Sequence, residues 1–242
     1  WTISNAPCAA TSDDVAVTLT ANPTVSNAGP DQVLCASSTT LAANTPTVGT
    51  GVWTILSGAG GSVTTPSSPI STFTGVAGTI YTLRWTVSNA PCAASTDDVV
   101  INFTASPTIA NAGPDQVVCG ANATLAGNAP TIGTGLWSII AGAGGTVTTP
   151  SSPTSTFTGV PGTTYTLRWT TSNAPCAPKT DDVLITLKAA PTVSNAGPDQ
   201  NLCASSTTLA GNAPTSGIGT WTIVSGAVRS IAAANSATSG FT

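Results

Sequence analysis

The sequence predicts an all-β protein in which one domain-sized unit is repeated along the chain. The same stretch of sequence recurs at Trp1, Trp85 and Trp169, at identical intervals (85 − 1 = 84 and 169 − 85 = 84). A period of 84 residues exceeds the roughly 20 to 50 residues of solenoid repeats and is long enough for a self-sufficient domain. The chain has no Glu and no Met, whereas Thr, Val, Gly and Pro abound, and this composition favours strands over helices.

Prolines mark the seams between the units, at Pro23, Pro107 and Pro191. Because proline fixes φ and the linkers are only a few residues long, we expect neighbouring domains to hold a preferred angle, as beads on a stiff string. The sequence begins and ends inside a repeat, so we expect it to be a segment of a longer protein. The predicted domains are the C-terminal strands of an incomplete repeat (1–21), two complete repeats (22–105 and 106–189) and the N-terminal part of another incomplete repeat (190–242).

Each complete unit ends in a predicted hairpin whose loop carries a cysteine. Residues Tyr81 to Val87 alternate between apolar and polar side chains, so one face of this strand is buried. The β-branched run at 97–103, after the loop, is typical of the second strand. The same hairpin returns at 165–185, and its last part opens the chain at 1–17.

The preceding part of each unit holds five shorter predicted strands separated by glycine- and proline-containing turns. Seven short strands in 84 residues predict a two-sheet β-sandwich. In the first complete unit the five shorter strands cover 31–34, 39–42, 52–56, 62–65 and 71–74. The side chains predicted to fill the two cores are Trp53, Tyr81, Leu83, Trp85, Trp137, Tyr165, Leu167 and Trp169.

Two aromatic landmarks resemble those of an immunoglobulin-like or PKD-like sandwich. Trp53 stands where such domains carry the core tryptophan of the third strand, and Tyr81 where they carry the tyrosine of the sixth. The cysteine that normally follows this tyrosine by two residues is replaced by Leu83. The resemblance therefore implies tandem immunoglobulin-like sandwiches in which apolar packing takes the place of the usual disulfide between the sheets.

The repeated text contains the elements NAGPDQ, TLAGN, TTPSSP, YTLRW, SNAPCA and TDDV. In this pattern the chain resembles the tandem repeats of giant cell-surface gliding adhesins of Bacteroidota, of the SprB type. The resemblance covers essentially all 242 residues. It implies type IX secretion, an extracellular location at the cell surface, and a filament used for adhesion during gliding motility.

The cysteines form two series, with one member of each series in every complete repeat. An even count in a chain that resembles a secreted protein argues for disulfides, and the lack of His and of CxxC spacing argues against zinc. In an immunoglobulin-like topology Cys35 lies in a turn at one end of a domain and Cys92 in a loop at the other end. Two patterns remain open: one bond between neighbouring repeats, Cys35–Cys176, or bonds within repeats, Cys35–Cys92 and Cys119–Cys176.

Aspartates near the strand starts invite a calcium interpretation, because Ca²⁺ selects hard oxygen ligands. Three carboxylates per repeat fall short of a six- to eight-oxygen shell, and aspartates at turns commonly bind nearby backbone amides. We therefore expect no cofactor, with calcium as the weaker alternative. The candidate ligands are Asp31, Asp97, Asp98, Asp115, Asp181 and Asp182.

Composition also limits the function. With no His and no Glu to act as acid or base, we expect no enzyme. The net charge of −4 without a basic patch does not suit nucleic acid, and no apolar run approaches the roughly 18 residues of a membrane span. The expected partners are neighbouring repeats of the same chain, with other filament subunits or a surface polysaccharide as further candidates.

The main functional hypothesis is structural: the chain forms part of the shaft of a bacterial cell-surface adhesin filament. The alternative is a set of carbohydrate-binding modules that use exposed loops or the face of Arg84, or the stalk of a secreted carbohydrate-active enzyme. All six tryptophans fit a core better than a sugar-binding platform, because each is predicted on an inward strand face.

Overall fold

The computed structural model describes residues 1–226 and 228–242. In that part of the chain every regular element is a β-strand, and no helix there is long and apolar enough to cross a membrane. The chain divides into two compact units. Unit 1 comprises Trp1–Pro107 with Asn173–Pro178, and unit 2 comprises Thr108–Ser172 with Lys179–Thr242.

Unit 1 contains the first complete sandwich. Its strands are β3 (Gln32–Leu34), β4 (Ser38–Thr40), β5 (Thr50–Ser57), β6 (Ser62–Val63), β7 (Thr72–Thr74), β8 (Thr79–Ser88) and β9 (Ser95–Phe103). A four-stranded sheet has the order β3-β9-β8-β5 and a three-stranded sheet the order β4-β7-β6. β3 runs parallel to β9, and all other neighbours are antiparallel. The predicted seven-stranded sandwich is confirmed.

The core of this sandwich is built on β8, which lies between β9 and β5. Tyr81 and Trp85 are fully buried on its inward face, because alternate residues of a strand face the same side. Trp53 of β5 stands opposite Trp85. Phe73 and Phe103 pack against Tyr81, with ring centroids 5.0 and 6.0 Å away. Each side chain of this kind stabilises the fold by roughly 1.5–3 kcal/mol on burial.

The Tyr81 hydroxyl ties two loops together. It donates a hydrogen bond to the Ala59 carbonyl (2.8 Å) and accepts one from the Val76 amide (2.8 Å). Gly58 beside it has a φ of 97°, and a Cβ there would lie 2.3 Å from the Tyr81 ring. Only glycine fits this position, so the glycine cluster that ends β5 also leaves room for the Tyr81 ring.

Unit 2 contains the second complete sandwich, built in the same way. Its strands are β10 (Gln116–Cys119), β11 (Asn122–Thr124), β12 (Thr134–Ala141), β13 (Thr146–Val147), β14 (Thr156–Thr158), β15 (Thr164–Asn173) and β16 (Cys176–Lys188). The sheet orders are β10-β16-β15-β12 and β11-β14-β13. The facing ends of β15 and β16, within Asn173–Pro178, group with unit 1. The core positions Trp137, Tyr165, Leu167 and Trp169 are all buried.

The two incomplete repeats form smaller sheets. Unit 1 holds the pair β1 (Thr2–Asn5) and β2 (Cys8–Ser12), and unit 2 holds β17 (Thr207–Ala210) with β18 (Thr238–Phe241). Two expectations are wrong here. The N-terminal hairpin does not extend to residue 17, and Trp1 is 86% exposed rather than in a core. Among the described residues, β1 and β2 pair only with each other.

Candidate functional site: the cysteine junction of unit 1

A disulfide joins Cys35, in the turn after β3, to Cys176, the first residue of β16. The sequence separation is 141 residues, and the two Cα atoms lie 4.9 Å apart, within the range that a disulfide needs. The structure thus contains the bond between neighbouring repeats. The alternatives Cys35–Cys92 and Cys119–Cys176 are not formed, and both Cys92 and Cys119 are free thiols.

The loop that carries Cys176 is held against the linker that follows β9. The Asn173 side-chain amide donates a hydrogen bond to the Ala105 carbonyl (2.8 Å). The Cys176 sulfur lies 3.6 and 3.4 Å from the carbonyl oxygens of Thr104 and Ala105. All these residues belong to unit 1. The loop that carries Cys176 is therefore held in place by hydrogen bonds as well as by the disulfide.

The same contact appears 84 residues earlier (173 − 89 = 84). The Asn89 side-chain amide donates to the Ala21 carbonyl (2.7 Å). The Cys92 thiol lies 3.5 Å from the carbonyl oxygens of both Thr20 and Ala21. This explains why Cys92 does not reach Cys35: its loop points to the preceding linker. The sequence analysis considered the cysteine of the SNAPC motif but not its asparagine, although the asparagine recurs in every copy of the motif.

The threonine after each seam proline binds the linker to its own repeat. Thr24 Oγ1 accepts hydrogen bonds from the amides of Thr47 and Val48 (2.9 Å each), and the Thr24 amide donates to the Val48 carbonyl (3.0 Å). Thr108 and Thr192 make the same contacts in their repeats. Each linker is therefore anchored to the repeat that follows it by hydrogen bonds.

Four of the six candidate calcium ligands accept hydrogen bonds from backbone amides. Asp97 Oδ2 accepts a hydrogen bond from the Ala28 amide (2.7 Å), and Asp31 Oδ1 accepts one from the Val100 amide (2.8 Å). These bonds fasten the segment before β3 to β9, and they span 69 residues, so they are not the local turn contacts that were expected. Asp181 and Asp115 bind the second repeat in the same way.

The remaining two candidates, Asp98 and Asp182, form ion pairs with Arg84 and Arg168. Arg84 Nε and Nη2 donate to the two carboxylate oxygens at 2.7 and 2.9 Å, and Arg168 binds Asp182 identically at 2.7 and 2.8 Å. The hydrogen bond lowers the pKa of Asp98 and raises the pKa of Arg84. Arg84 therefore lies on the sheet face as a partly exposed side chain in an ion pair. Among the described residues no group of three or more His, Cys, Asp or Glu side chains is placed to hold a metal ion.

Comparison with known proteins identifies the fold. The chain matches no protein-family model and no curated protein. It is similar to a three-immunoglobulin-domain structure of titin, a variant with Glu-to-Ala substitutions: TM-score 0.56, 14% identity, 92% of this chain and 88% of that one covered. Immunoglobulin domains 1–5 of Sidekick-1 (TM-score 0.48, 13% identity, 82% and 46% covered) and the insect immune protein hemolin (0.42, 13%, 69% and 47%) also match.

This chain spans about half the length of the Sidekick-1 and hemolin structures. The titin match, together with the strand orders above, defines the class. The protein is a tandem array of immunoglobulin-like β-sandwiches.

Proposed function

We propose that this chain is a structural segment of the shaft of a bacterial cell-surface adhesin filament that serves adhesion and gliding. The observation that carries the proposal is the Cys35–Cys176 disulfide, because a covalent link between successive repeats suits a strut under tension. The repeat sequence resembles that of the SprB-type adhesins of Bacteroidota. This resemblance supports a role in such a filament and export by the type IX system.

The disulfide changes the path that a force takes through the chain. Tension applied at the two ends passes from Cys35 to Cys176 through the sulfur–sulfur bond. The 140 residues between them (176 − 35 − 1 = 140) form a closed covalent loop and are not stretched. That loop contains β4 to β15, so most of both cores lies outside the load path, and only β3 and β16 of the complete sandwiches bear the load.

The same bond supports an extracellular location. Disulfides persist in oxidising environments and are rare where cellular thiols keep cysteines reduced. We place the protein outside the cell, at its surface, with neighbouring repeats of the same chain as its first partners.

The carbohydrate-binding alternative has less support. Arg84, whose face was one of the two binding surfaces considered beside the exposed loops, already binds Asp98 through two hydrogen bonds. Trp53 and Trp85 are buried, so neither ring is displayed to a sugar. The stalk of a secreted carbohydrate-active enzyme would use the same strut and would differ only in the domains that it connects.

Two measurements on the full chain test the proposal. A shaft segment should bind no glycan on an array of surface polysaccharides, whereas saturable binding that Arg84→Ala abolishes would favour the alternative. In solution scattering, the oxidised chain should show a narrower distribution of interdomain distances than the Cys35→Ser/Cys176→Ser variant. Equal breadth in the two samples would contradict the strut.

A further inference from the structure

In each complete sandwich, the segment that opens the domain runs beside the strand that closes it. The opening segment of unit 1 is residues 26–34. The hydroxyls of Ser26 and Ser95 lie 2.9 Å apart, and Gln32–Leu34 pairs in parallel with Ile101–Phe103. Both contacts have an offset of 69 residues (95 − 26 = 101 − 32 = 69). The opening segment therefore lies alongside β9, in the same direction and register, over the full length of that strand.

Aspartate side chains extend this pairing beyond the backbone ladder of β3 and β9. The Ala28 amide donates a hydrogen bond to Asp97 Oδ2 (2.7 Å), and the Val100 amide donates one to Asp31 Oδ1 (2.8 Å). Each bond again spans 69 residues. A carboxylate acceptor makes a hydrogen bond roughly twice as strong as a neutral acceptor does. The two aspartates, one from each strand, thus bind the opening segment to β9 on the N-terminal side of the ladder.

Unit 2 repeats the arrangement. Its opening segment, residues 110–118, lies beside β16. The Ala112 amide donates to Asp181 Oδ2 (2.8 Å), and the Leu184 amide donates to Asp115 Oδ1 (2.9 Å). β10 pairs in parallel with β16, and all of these contacts keep the offset of 69 residues. The carboxylate bonds are therefore a feature of both complete sandwiches.

The parallel direction decides how tension acts on these bonds. The chain enters each sandwich at the N-terminal end of the opening segment and leaves it at the C-terminal end of β9 or β16. Because the paired strands point the same way, tension pulls them in opposite directions along their common axis. Bonds in a parallel ladder are evenly spaced along the strands, so they are loaded together and share the force. Antiparallel terminal strands would instead separate one bond at a time.

We propose, on the basis of the shaft function, that each opening segment and its closing strand form a mechanical clamp, which bears the load once the Cys35–Cys176 bond is open. While that bond is closed, β9 and residues 110–118 lie between the two cysteines, in the loop that tension bypasses. After reduction the load passes through both sandwiches, and neither lengthens until its clamp breaks. The shaft therefore has two successive stops against extension, first the disulfide and then the clamps.

The test holds the full chain at its two ends under constant force in dithiothreitol. This dithiol gives two electrons and two protons to the Cys35–Cys176 bond and becomes a cyclic disulfide. The reduced parent protein should lengthen in two large steps, one for each complete sandwich. In Asp97→Ala/Asp181→Ala each clamp lacks one carboxylate bond, and the waiting time before each step should fall about tenfold. An unchanged waiting time overturns the proposal.

Neighbouring aspartates provide the matched control. Asp98→Ala/Asp182→Ala removes the same charge from the same strands, but these side chains bind arginines rather than the opening segments. The control should keep the waiting times of the parent protein. Asp97→Asn/Asp181→Asn retains an oxygen acceptor without its charge and should give intermediate waiting times. Equal shortening in the two alanine variants would overturn the clamp.

Two further readouts separate the clamp from general stability and from the shaft function. Tyr81→Phe/Tyr165→Phe removes hydroxyls that bind loops outside the opening segments, and should lower the urea midpoint without shortening the waiting time. Waiting times that follow the urea midpoints of all variants would overturn the clamp. The oxidised parent protein should show neither step. If it showed them, the disulfide bypass and the proposed function would fail, while the effect of Asp97→Ala in the reduced chain would still decide the clamp.

Discussion

The indole rings of Trp53 and Trp85 face each other across β5 and β8, with centroids 5.1 Å apart, and Trp137 and Trp169 form the same pair at 5.0 Å. The two pairs differ in the hydrogen bonds of their indole N–H groups. Trp169 Nε1 donates to the backbone carbonyl and the side-chain oxygen of Asn128 (3.1 Å each), whereas Trp85 Nε1 is buried without an acceptor among the described residues. Trp137 Nε1 donates a hydrogen bond to the Pro153 carbonyl (3.1 Å), whereas among the described residues Trp53 Nε1 is buried and has no acceptor. The second repeat has Gly127 where the first has Ala43, and a Cβ at Gly127 would lie 2.9 Å from the Trp137 ring.

We predict that Gly127→Ala destabilises the second sandwich by about 1 kcal/mol. The lost indole hydrogen bond costs about 1–3 kcal/mol and outweighs the roughly 0.4–1 kcal/mol by which alanine restricts the unfolded chain. Urea unfolding followed by tryptophan fluorescence measures the change. The reverse substitution, Ala43→Gly, should be nearly neutral, because the hydrogen bond gained offsets the flexibility added. A stabilising Gly127→Ala would refute the assignment of this bond to the missing methyl group.

The hydroxyl of Tyr81 supports two loops and should be costly to remove. Tyr81→Phe leaves the Ala59 carbonyl and the Val76 amide without their partner, and we expect a loss of about 2 kcal/mol. Tyr165→Phe should cost the same, since Tyr165 makes the equivalent bonds to Ala143 and Val160. Denaturant midpoints measure both losses. If the denaturant midpoint of either variant equalled that of the parent protein, the hydroxyl would not contribute to the stability of the loops.

The Arg84–Asp98 pair makes stability sensitive to acid. Arg84 lowers the pKa of Asp98 in the folded protein, while the unfolded value is near 3.9. As the pH falls, the unfolded state takes up the proton first, so the contribution is present above about pH 4 and is lost below it. Asp98→Asn should therefore narrow the difference between urea midpoints at pH 5 and pH 2.

Asp14 provides the control for that measurement. It occupies the same place in its repeat (14 + 84 = 98) and is exposed. Asp14→Asn should leave the pH dependence as it is in the parent protein. An equal effect of the two substitutions would assign the acid sensitivity to overall charge rather than to the ion pair.

Removal of the disulfide should have the largest effect on stability. The bond links residues that are 141 positions apart in the sequence, and constraint of the unfolded chain by so long a loop is worth on the order of 5 kcal/mol. Cys35→Ser/Cys176→Ser should lower the thermal midpoint accordingly. Cys119→Ser alters a free thiol at the equivalent position and should leave the thermal midpoint of the oxidised protein unchanged. A midpoint that the double variant leaves unchanged would deny the bond a structural role.

The 84-residue period and the alternation from Tyr81 to Val87 were enough to predict the sandwich, because both follow from the chain's own spacing. The choice of disulfide was not predictable in the same way. It depends on where the linker after β9 passes the next SNAPC loop, and the contacts of Asn173 decide that. The Arg84–Asp98 pair was missed because it requires the hairpin register that places those two residues opposite each other.

The long-range hydrogen bonds of the aspartate carboxylates could not be predicted from the sequence either. Asp31 and Asp97 each bind an amide 69 residues away, and no local pattern reports such a partner. Trp1 shows that burial, too, cannot be predicted from the repeat spacing alone. Its spacing marks it correctly as a repeat position, but spacing says nothing about whether an opposing sheet is present to bury it.

The most direct test of the strut is single-molecule extension of the full chain held at its two ends, before and after reduction. With Cys35 bonded to Cys176, complete unfolding cannot extend the loop between them. Reduction should therefore add about 500 Å of contour length, from 141 residues at roughly 3.6 Å each. The Cys35→Ser/Cys176→Ser variant should show the longer value under both conditions. Equal contour lengths for the oxidised and reduced parent protein would contradict the load-bypassing disulfide on which the proposed function depends.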